Sequence, residues 1–448
     1  MSFFISDTSY TFAADKKIIM ITTSVNQEPN LIISDMAEHL IGSEIIKIAM
    51  EIGDKIKAGE KIVNLTIGDF NPEIFPIPME LRDEIINAYL AGHTNYPAAN
   101  GILELRKAVS SYLKDNESLE YNPDEILIAC GARPLIYATY TTLLDEGDGV
   151  IFPVPSWNNN HYVHIVKGKP IPIETHAENN FMPNADEIKP FIKDANLLAL
   201  CSPLNPTGTV FTRDGLEKIC DLILEENHRR GPNQKPLYLM YDQIYWVLTF
   251  GSTHHYNPVS IRPEMRDYTI FIDGVSKSLA ATGIRVGWGF GPQKIIDKMK
   301  AILSHVGSWA PKAEQEACAK YLVNKPAMDS FIHNFKENID MRLEALHTGF
   351  MAMKNDGFKV HAIEPQAAIY LTVQFDLIGK KTEDGKVLHN TKEVTSYLLN
   401  EAKLGIVPFY AFGASEDSTW YRISVGTCTM AEIEDAFISL RKALSKLS

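Results

Sequence analysis

Lys277 and Arg285 are the residues of this chain whose types and spacing most directly suggest chemistry. They share the stretch Asp273-Gly274-Val275-Ser276-Lys277-Ser278-Leu279-Ala280-Ala281-Thr282-Gly283-Ile284-Arg285-Val286-Gly287-Trp288. An amine condenses with an aldehyde to a Schiff base, and a guanidinium holds a phosphate through a fork of hydrogen bonds. A lone lysine after a strand is ordinarily solvent-facing. The pair therefore matters only if other stretches supply the remainder of a binding site.

The elements that must position these residues are legible as alternating apolar runs and turns. Tyr268–Ile272 is β-branched and aromatic, a buried strand delivering Lys277 to the rim of a sheet. From Ile126 onward strands and helices alternate. Ile126–Cys130 reads as a strand, Gly131-Ala132-Arg133 as a turn, and Pro134–Leu144 as a helix with Pro134 in its first position. A glycine-bearing turn into a helix N-terminus presents free amides and a positive dipole end, a seat for phosphate. Gly149–Pro153, Leu197–Cys201 and Pro236–Tyr241 read as further buried strands. The last of these ends at Asp242, a carboxylate that is costly in apolar surroundings without a partner such as a protonated ring nitrogen. Before this region, Ser43–Ala58 reads as a helix capped by Ser43, Lys61–Ile67 as a strand and Ile102–Leu113 as a helix. After it come a helix over Ile295–Ser304, a long helical stretch to about Asn355, and strands at Phe358–Val360, Ala368–Val373 and Trp420–Val425.

Pyridoxal phosphate (PLP) carries both an aldehyde and a phosphate. The order Ser276-Lys277, spacer, Gly283-Ile284-Arg285-Val286-Gly287-Trp288 closely resembles the lysine motif of the class I/II, aspartate-aminotransferase-like PLP enzymes. Asn205-Pro206-Thr207-Gly208 and Asp242-Gln243-Ile244-Tyr245 also match that family, in its order along the chain. The resemblance runs from about Gly68 to Arg422. It implies that Lys277 holds PLP as a Schiff base and then acts as general base and acid. It further implies that Asp242 keeps the ring nitrogen protonated, that Tyr245 and Asn205 hold the ring oxygen, and that Trp157 stacks on the ring. Arg285, Ser276 and the turn Gly131, Ala132 and Arg133 would hold the phosphate, joined by Tyr96 of a neighbouring subunit. Arg422 would bind the substrate α-carboxylate bidentately, with Gly68, Asn205 and Trp157 also facing the substrate. The chain departs from the family's usual residues at Phe70, Gln243, Gly274 and Phe409. Trp309 and Lys312 stand in the loop where dicarboxylate-specific relatives carry an arginine, which tilts the donor toward aromatic or neutral amino acids.

Composition is consistent with this reading. The chain has 448 residues, 45% hydrophobic and 22% charged, ordinary for a soluble globular enzyme. A net charge of −13 argues against nucleic-acid or anionic-membrane partners, so an anionic cofactor needs local positive groups. Five scattered cysteines without a Cys-x-x-Cys pair fit reduced thiols in the cytoplasm, with no disulfide framework and no zinc site. No apolar run approaches a membrane span, and the first thirty residues lack a signal sequence.

The resemblance implies an α/β chain of PLP-dependent transferase fold type I, with a mainly parallel seven-stranded sheet and a smaller α/β domain. Residues 1–30 are expected to form a lead-in or arm, 31–80 with 316–448 the small domain, and 81–315 the large PLP-binding domain. The implied activity is transfer of an amino group from an L-amino acid to a 2-oxo acid by a homodimer with a shared site. A PLP-dependent C–S lyase or related eliminase of the same fold is the alternative enzyme. A non-catalytic PLP-binding regulator is opposed by the acidic composition and the lack of a basic N-terminal module.

Overall fold

Seven strands make the central sheet, in the order Ile126–Ala129, Gly287–Phe290, Thr269–Gly274, Tyr238–Asp242, Ala195–Cys201, Gly149–Val154 and Lys169–Glu174. Neighbours are parallel except around Gly287–Phe290, which runs antiparallel to both of its neighbours. Strands covered on both faces must be apolar throughout. Gly149–Val154 and Thr269–Gly274 are accordingly buried at every position. The computed structural model describes residues 31–40, 42 and 44–448.

Helices cover both faces of the sheet. Ala132–Leu143 and Gln293–Val306 pack with Leu127, Val150 and Ile272 on one side. Leu103–Glu117 and Arg213–Arg230 pack with Ile128, Leu198 and Phe271 on the other. A further core joins segments distant in sequence, with Leu65, Phe70 and Phe75 meeting Leu343, Leu371, Ile423 and Leu440. It surrounds a four-stranded antiparallel sheet in the order Val407–Pro408, Trp420–Ser424, Tyr370–Phe375 and Val360–Ala362. The pair Val63–Asn64 with Leu404–Gly405 is parallel. In the N-terminal unit, residues 31–39 carry a short helix, Asp35–Glu38, capped by the Ser34 side chain.

Several expected boundaries move for identifiable reasons. The helix expected from Pro134 begins at Ala132, with Gly131 as N-cap, so Pro134 is third rather than first. Its missing N–H still falls among the four that have no intrahelical partner. The strand expected over Lys61–Ile67 is only Val63–Asn64. There the Asn64 side chain accepts from Thr66 N and Thr66 Oγ1, and this local pairing competes with the ladder. The long helical stretch is two helices, Lys312–Leu322 and Lys325–Asn355. Asn324 caps the second, and Pro326 cannot continue the first. The strand expected at Phe358–Val360 is Val360–Ala362, because Phe358 N still bonds back to Met353 O at the helix end. The helix expected from Ser43 covers Glu44–Lys57, while its expected cap, Ser43, and the expected lead-in of residues 1–30 lie outside the described residues.

Candidate active site

Asp242 ends one parallel strand, Cys201 ends the next, and Gly274 ends a third just before Lys277. In such sheets ligands sit beyond the carboxyl ends of the strands. A cavity of about 630 Å³ lies there. Its lining includes Gly68, Ala132, Arg133, Trp157, Asn205, Asp242, Tyr245, Ser276, Lys277, Arg285 and Arg422. Thus all but two of the thirteen residues expected to hold the cofactor or the substrate carboxylate surround one space. Gly131 adjoins it and Tyr96 does not.

Lys277 Nζ donates to the Gly68 carbonyl at 2.7 Å and lies 5.6 Å from the Phe70 ring centre. Burial pushes its ammonium down to about 8; Asp69 opposes this, while the guanidiniums of Arg422, Arg133 and Arg285 reinforce it. Below that value the group is a charged, unreactive ammonium, and above it a nucleophilic amine. Modification of Lys277 in cofactor-free protein is therefore expected to rise with pH through about 8. Brief treatment with an amine-reactive reagent followed by peptide mass spectrometry measures this. A midpoint at the ordinary lysine value would contradict the desolvated setting.

The Asp242 carboxylate accepts one backbone N–H, from Ile244 at 3.1 Å. Burial pushes it up to about 6. Among the described residues no cationic side chain pairs with it, so a protonated ring nitrogen would supply what burial removes. The neighbouring Gln243 turns away and donates to Glu117 at 2.7 Å. Tyr245 shares a 2.6 Å hydrogen bond with the hydroxyl of Tyr370.

Arg422 is buried in the strand Trp420–Ser424, opposite Thr372 and Val407. It donates to Asn205 Oδ1 at 3.1 Å and to the Thr66 carbonyl at 2.6 Å. The rings of Tyr370 and Phe412 flank it, at 4.7 and 4.9 Å. Its Nε has no hydrogen-bond partner among the described residues, leaving a donor for an incoming carboxylate.

Arg285 donates to the carbonyls of Thr282 (2.7 Å) and Cys130 (3.0 Å), beside the N-terminus of the helix Ala132–Leu143. Its φ of 59° is left-handed, which a non-glycine residue holds only when its surroundings enforce it. Gly131, with φ 83°, lies so close that a Cβ there would collide with the Arg285 guanidinium. Gly274 has a similar reason. A Cβ there would come within 2.7 Å of Gly287 Cα and 2.8 Å of the Val286 carbonyl, so no hydroxyl side chain fits at this position. Phe409, another departure, is buried against Phe181 at 5.1 Å between ring centres.

An aldehyde, a phosphate and a basic ring nitrogen on one molecule match three features lining the cavity. These are an amine pushed toward neutrality, a guanidinium beside a helix N-terminus, and a buried carboxylate without a cation. PLP fits this donor set.

Sequence reasoning missed Tyr370, Asp69 and Thr282. Tyr370 touches Tyr245 and Arg422, while Asp69 accepts from Thr282 Oγ1 at 2.6 Å. Thr282 lies between Lys277 and Arg285 and Asp69 follows Gly68, but their pairing with each other, like the Tyr370 contacts, is made only by the fold. Trp309 instead packs its ring against Tyr96 at 5.2 Å, and Lys312 donates to Asn95 at 2.9 Å. Neither lines the cavity.

The model of the family described as aminotransferase class I and II matches residues 60–440. An aspartate aminotransferase of Bacillus sp. (strain YM-2) is 31% identical over 407 residues, covering 90% of this chain and 97% of its own. A probable aspartate/prephenate aminotransferase of Rickettsia prowazekii is 32% identical over 409 residues, covering 90% and 96%. The crystal structure of the Rhizobium meliloti aspartate aminotransferase superposes with a TM-score of 0.85 at 27% identity, covering 93% of this chain and 100% of that one. With its seven-stranded sheet and a cavity suited to PLP, this chain belongs to the class I and II aminotransferases and is a PLP-dependent aminotransferase.

Proposed function

We propose that Lys277 carries the amino-group transfer and that Arg422 holds the α-carboxylate of each amino acid and 2-oxo acid in turn. The observation that carries this reading is the cavity that joins a desolvated amine, a buried carboxylate and a buried guanidinium. Bound PLP supplies an aldehyde for amine exchange and a ring that withdraws electrons from the substrate α-carbon.

The chain's own residues do the rest. Lys277 Nζ would act first as base and then as acid, moving the proton of the substrate α-carbon to the former aldehyde carbon of the cofactor. Asp242 holds positive charge at the ring nitrogen. Asn205 gives its Oδ1 to Arg422, which leaves its Nδ2 to donate to the ring oxygen together with Tyr245. Trp157 covers a ring face. Arg285, Ser276 and the turn Gly131, Ala132 and Arg133 hold the phosphate, and Gly68 lies against the substrate. Tyr96 is 81% exposed, as suits a residue that reaches the phosphate in a second copy of the chain. Leu90, Met79, Ile46 and Met50 are also exposed, which supports a homodimer. Residues 31–80 with 316–448 form the small domain and 81–315 the large one, a division that the pairing of Val63–Asn64 with Leu404–Gly405 supports. The enzyme works in the cytoplasm, which agrees with five free cysteines. Among the described residues no helix is long and apolar enough to cross a membrane.

Aromatic or neutral amino acids are the proposed donors, supported by Ile45, Ile46, Ile67 and Trp157 in the cavity lining. A second reading, with dicarboxylate donors, is favoured by the names of the relatives and by Arg133, a further guanidinium in the same lining. Absorbance of the bound cofactor, followed while phenylalanine, alanine or aspartate is added, measures the first half-reaction for each. Phenylalanine exceeding aspartate in kcat/KM by about tenfold, roughly one apolar contact, is expected; the reverse order would transfer the assignment to dicarboxylates.

A further inference from the structure

Tyr245 and Tyr370 meet in the lining of the Lys277 cavity, with their hydroxyl oxygens 2.6 Å apart. Both side chains are buried, and their rings stand edge to face at 5.5 Å between centres. The fold fixes this meeting from several directions. Tyr370 opens the strand Tyr370–Phe375, and its carbonyl packs so closely on Gly208 that a Cβ there would collide with it. Thr372, two residues on, donates to the Thr207 carbonyl at 2.9 Å. Ala368 N donates to the Leu248 carbonyl at 2.8 Å, tying the turn before Tyr370 to the turn after Tyr245. Gly68 leaves room for the Tyr370 hydroxyl, since a Cβ at residue 68 would come within 2.7 Å of it.

Burial pushes both phenols above the ordinary tyrosine range, so both are neutral at physiological pH. Two neutral hydroxyls carry two protons, and one of these lies between the oxygens. The other is left to donate elsewhere, and the direction of the shared bond decides which tyrosine keeps it. With Tyr245 as donor to Tyr370, Tyr245 would offer a cofactor oxygen only lone pairs. With Tyr370 as donor, the Tyr245 proton is free for the cavity. The oxygen positions alone do not assign the donor, but the charges do. The Arg422 guanidinium lies over the Tyr370 ring at 4.7 Å, and a cation there makes that hydroxyl the more acidic one and the better donor. Asp69 opposes this at Tyr370, while Cys201, kept a thiol by burial, and Lys277, 5.8 Å from the Tyr245 ring centre, complete the titratable groups around the pair.

We propose that Tyr370 is a positioning residue for the cofactor: its hydroxyl donates to the Tyr245 oxygen, which directs the Tyr245 proton at the ring oxygen of PLP and strengthens that donation. The inference rests on the role given above to Tyr245 and adds a residue that acts through it.

Tyr370→Phe keeps the ring and removes the hydroxyl. The quantity to measure is the pH midpoint of the visible absorbance change of substrate-free holoenzyme, in which the cofactor is joined to Lys277. A donor at the ring oxygen favours the deprotonated Schiff base, so weakening that donor raises the midpoint. Tyr370→Phe should raise it by about half a unit to one unit, the worth of one hydrogen bond. Tyr245→Phe should raise it by more, and adding Tyr370→Phe to that variant should change it by less than about 0.3 unit, because Tyr370 acts through Tyr245. A fall in the midpoint of Tyr370→Phe would mean that the shared proton runs the other way, and an unchanged midpoint that the hydroxyl has no bearing on the cofactor; either overturns the proposal. So would a full additional shift in the double variant. An unchanged midpoint in Tyr245→Phe would remove the role of Tyr245 and the proposal with it, whereas a shift there without one in Tyr370→Phe would remove the proposal alone.

Discussion

Lys277→Ala is expected to lower kcat for transamination by about 10⁴-fold, near the upper end of what a positioned general acid–base residue contributes. The size follows from two losses at one atom. In the proposed mechanism Nζ would both anchor the cofactor and, afterwards, serve as the base that takes the α-proton. Its burial makes it suited to both, because an amine pushed down to about 8 is partly neutral near pH 7. The effect should fall on kcat more than on KM, since Asp242, Arg285 and Arg422 still surround the cavity. Single-turnover absorbance with a donor amino acid measures it, and added methylamine should restore part of the proton transfer. A variant retaining a tenth of wild-type kcat would remove Lys277 from the chemistry and leave it a structural lysine hydrogen-bonded to Gly68.

The second large effect is expected at Arg422. Arg422→Met preserves much of the side chain's bulk but removes every donor. Losing one partner of a buried, charge-assisted pair costs about 2–5 kcal/mol, so kcat/KM for any amino-acid donor should fall by roughly 30-fold to 5,000-fold, mostly through KM. Arg422→Lys keeps the charge and loses the fork, and should fall between wild type and Arg422→Met. The substitution also strips donors from Thr66 O and Asn205 Oδ1, both in buried residues. A loss of stability of about 1–3 kcal/mol is expected on that account. A thermal melt separates this from the kinetic effect. Unchanged KM in a folded Arg422→Met protein would mean that another group, such as Arg133 in the same lining, holds the carboxylate.

These two residues illustrate how differently parts of the site were legible. Lys277 could be read because its surroundings are local: an apolar strand, small residues, then Arg285 between two glycines. Asp242 could be read for the same reason, as a carboxylate at the end of an apolar strand. Glycine at 131 and 274 answers to close approaches that its neighbours in the fold enforce, but the turn chemistry around Gly131 already marked a strand-to-helix junction. The alternation of apolar runs with turns indicated an α/β chain, and the family resemblance implied its seven-stranded sheet.

Only the tertiary structure decided which distant residues meet at the site. Tyr370 reaches Tyr245 because Tyr370–Phe375 pairs in register with Trp420–Ser424, and no local pattern in the sequence specifies that register. The contact between Arg422 and Thr66 joins opposite ends of the chain. The parallel pairing of Val63–Asn64 with Leu404–Gly405 also brings these ends together. The shortened strand at Val63–Asn64 was hidden because a side-chain hydrogen bond from Asn64 competed successfully with an otherwise strand-like run. A cavity beside Glu117, away from Lys277, was hidden for a related reason. Its lining comes from the end of the helix at Glu117, a loop carrying His255 and the start of the helix Lys325–Asn355. By itself the sequence determined the cofactor chemistry and the elements that present it, because strand ends and glycine turns depend on neighbouring residues. The fold decided the partners, because burial and long-range register exist only when the whole chain is assembled.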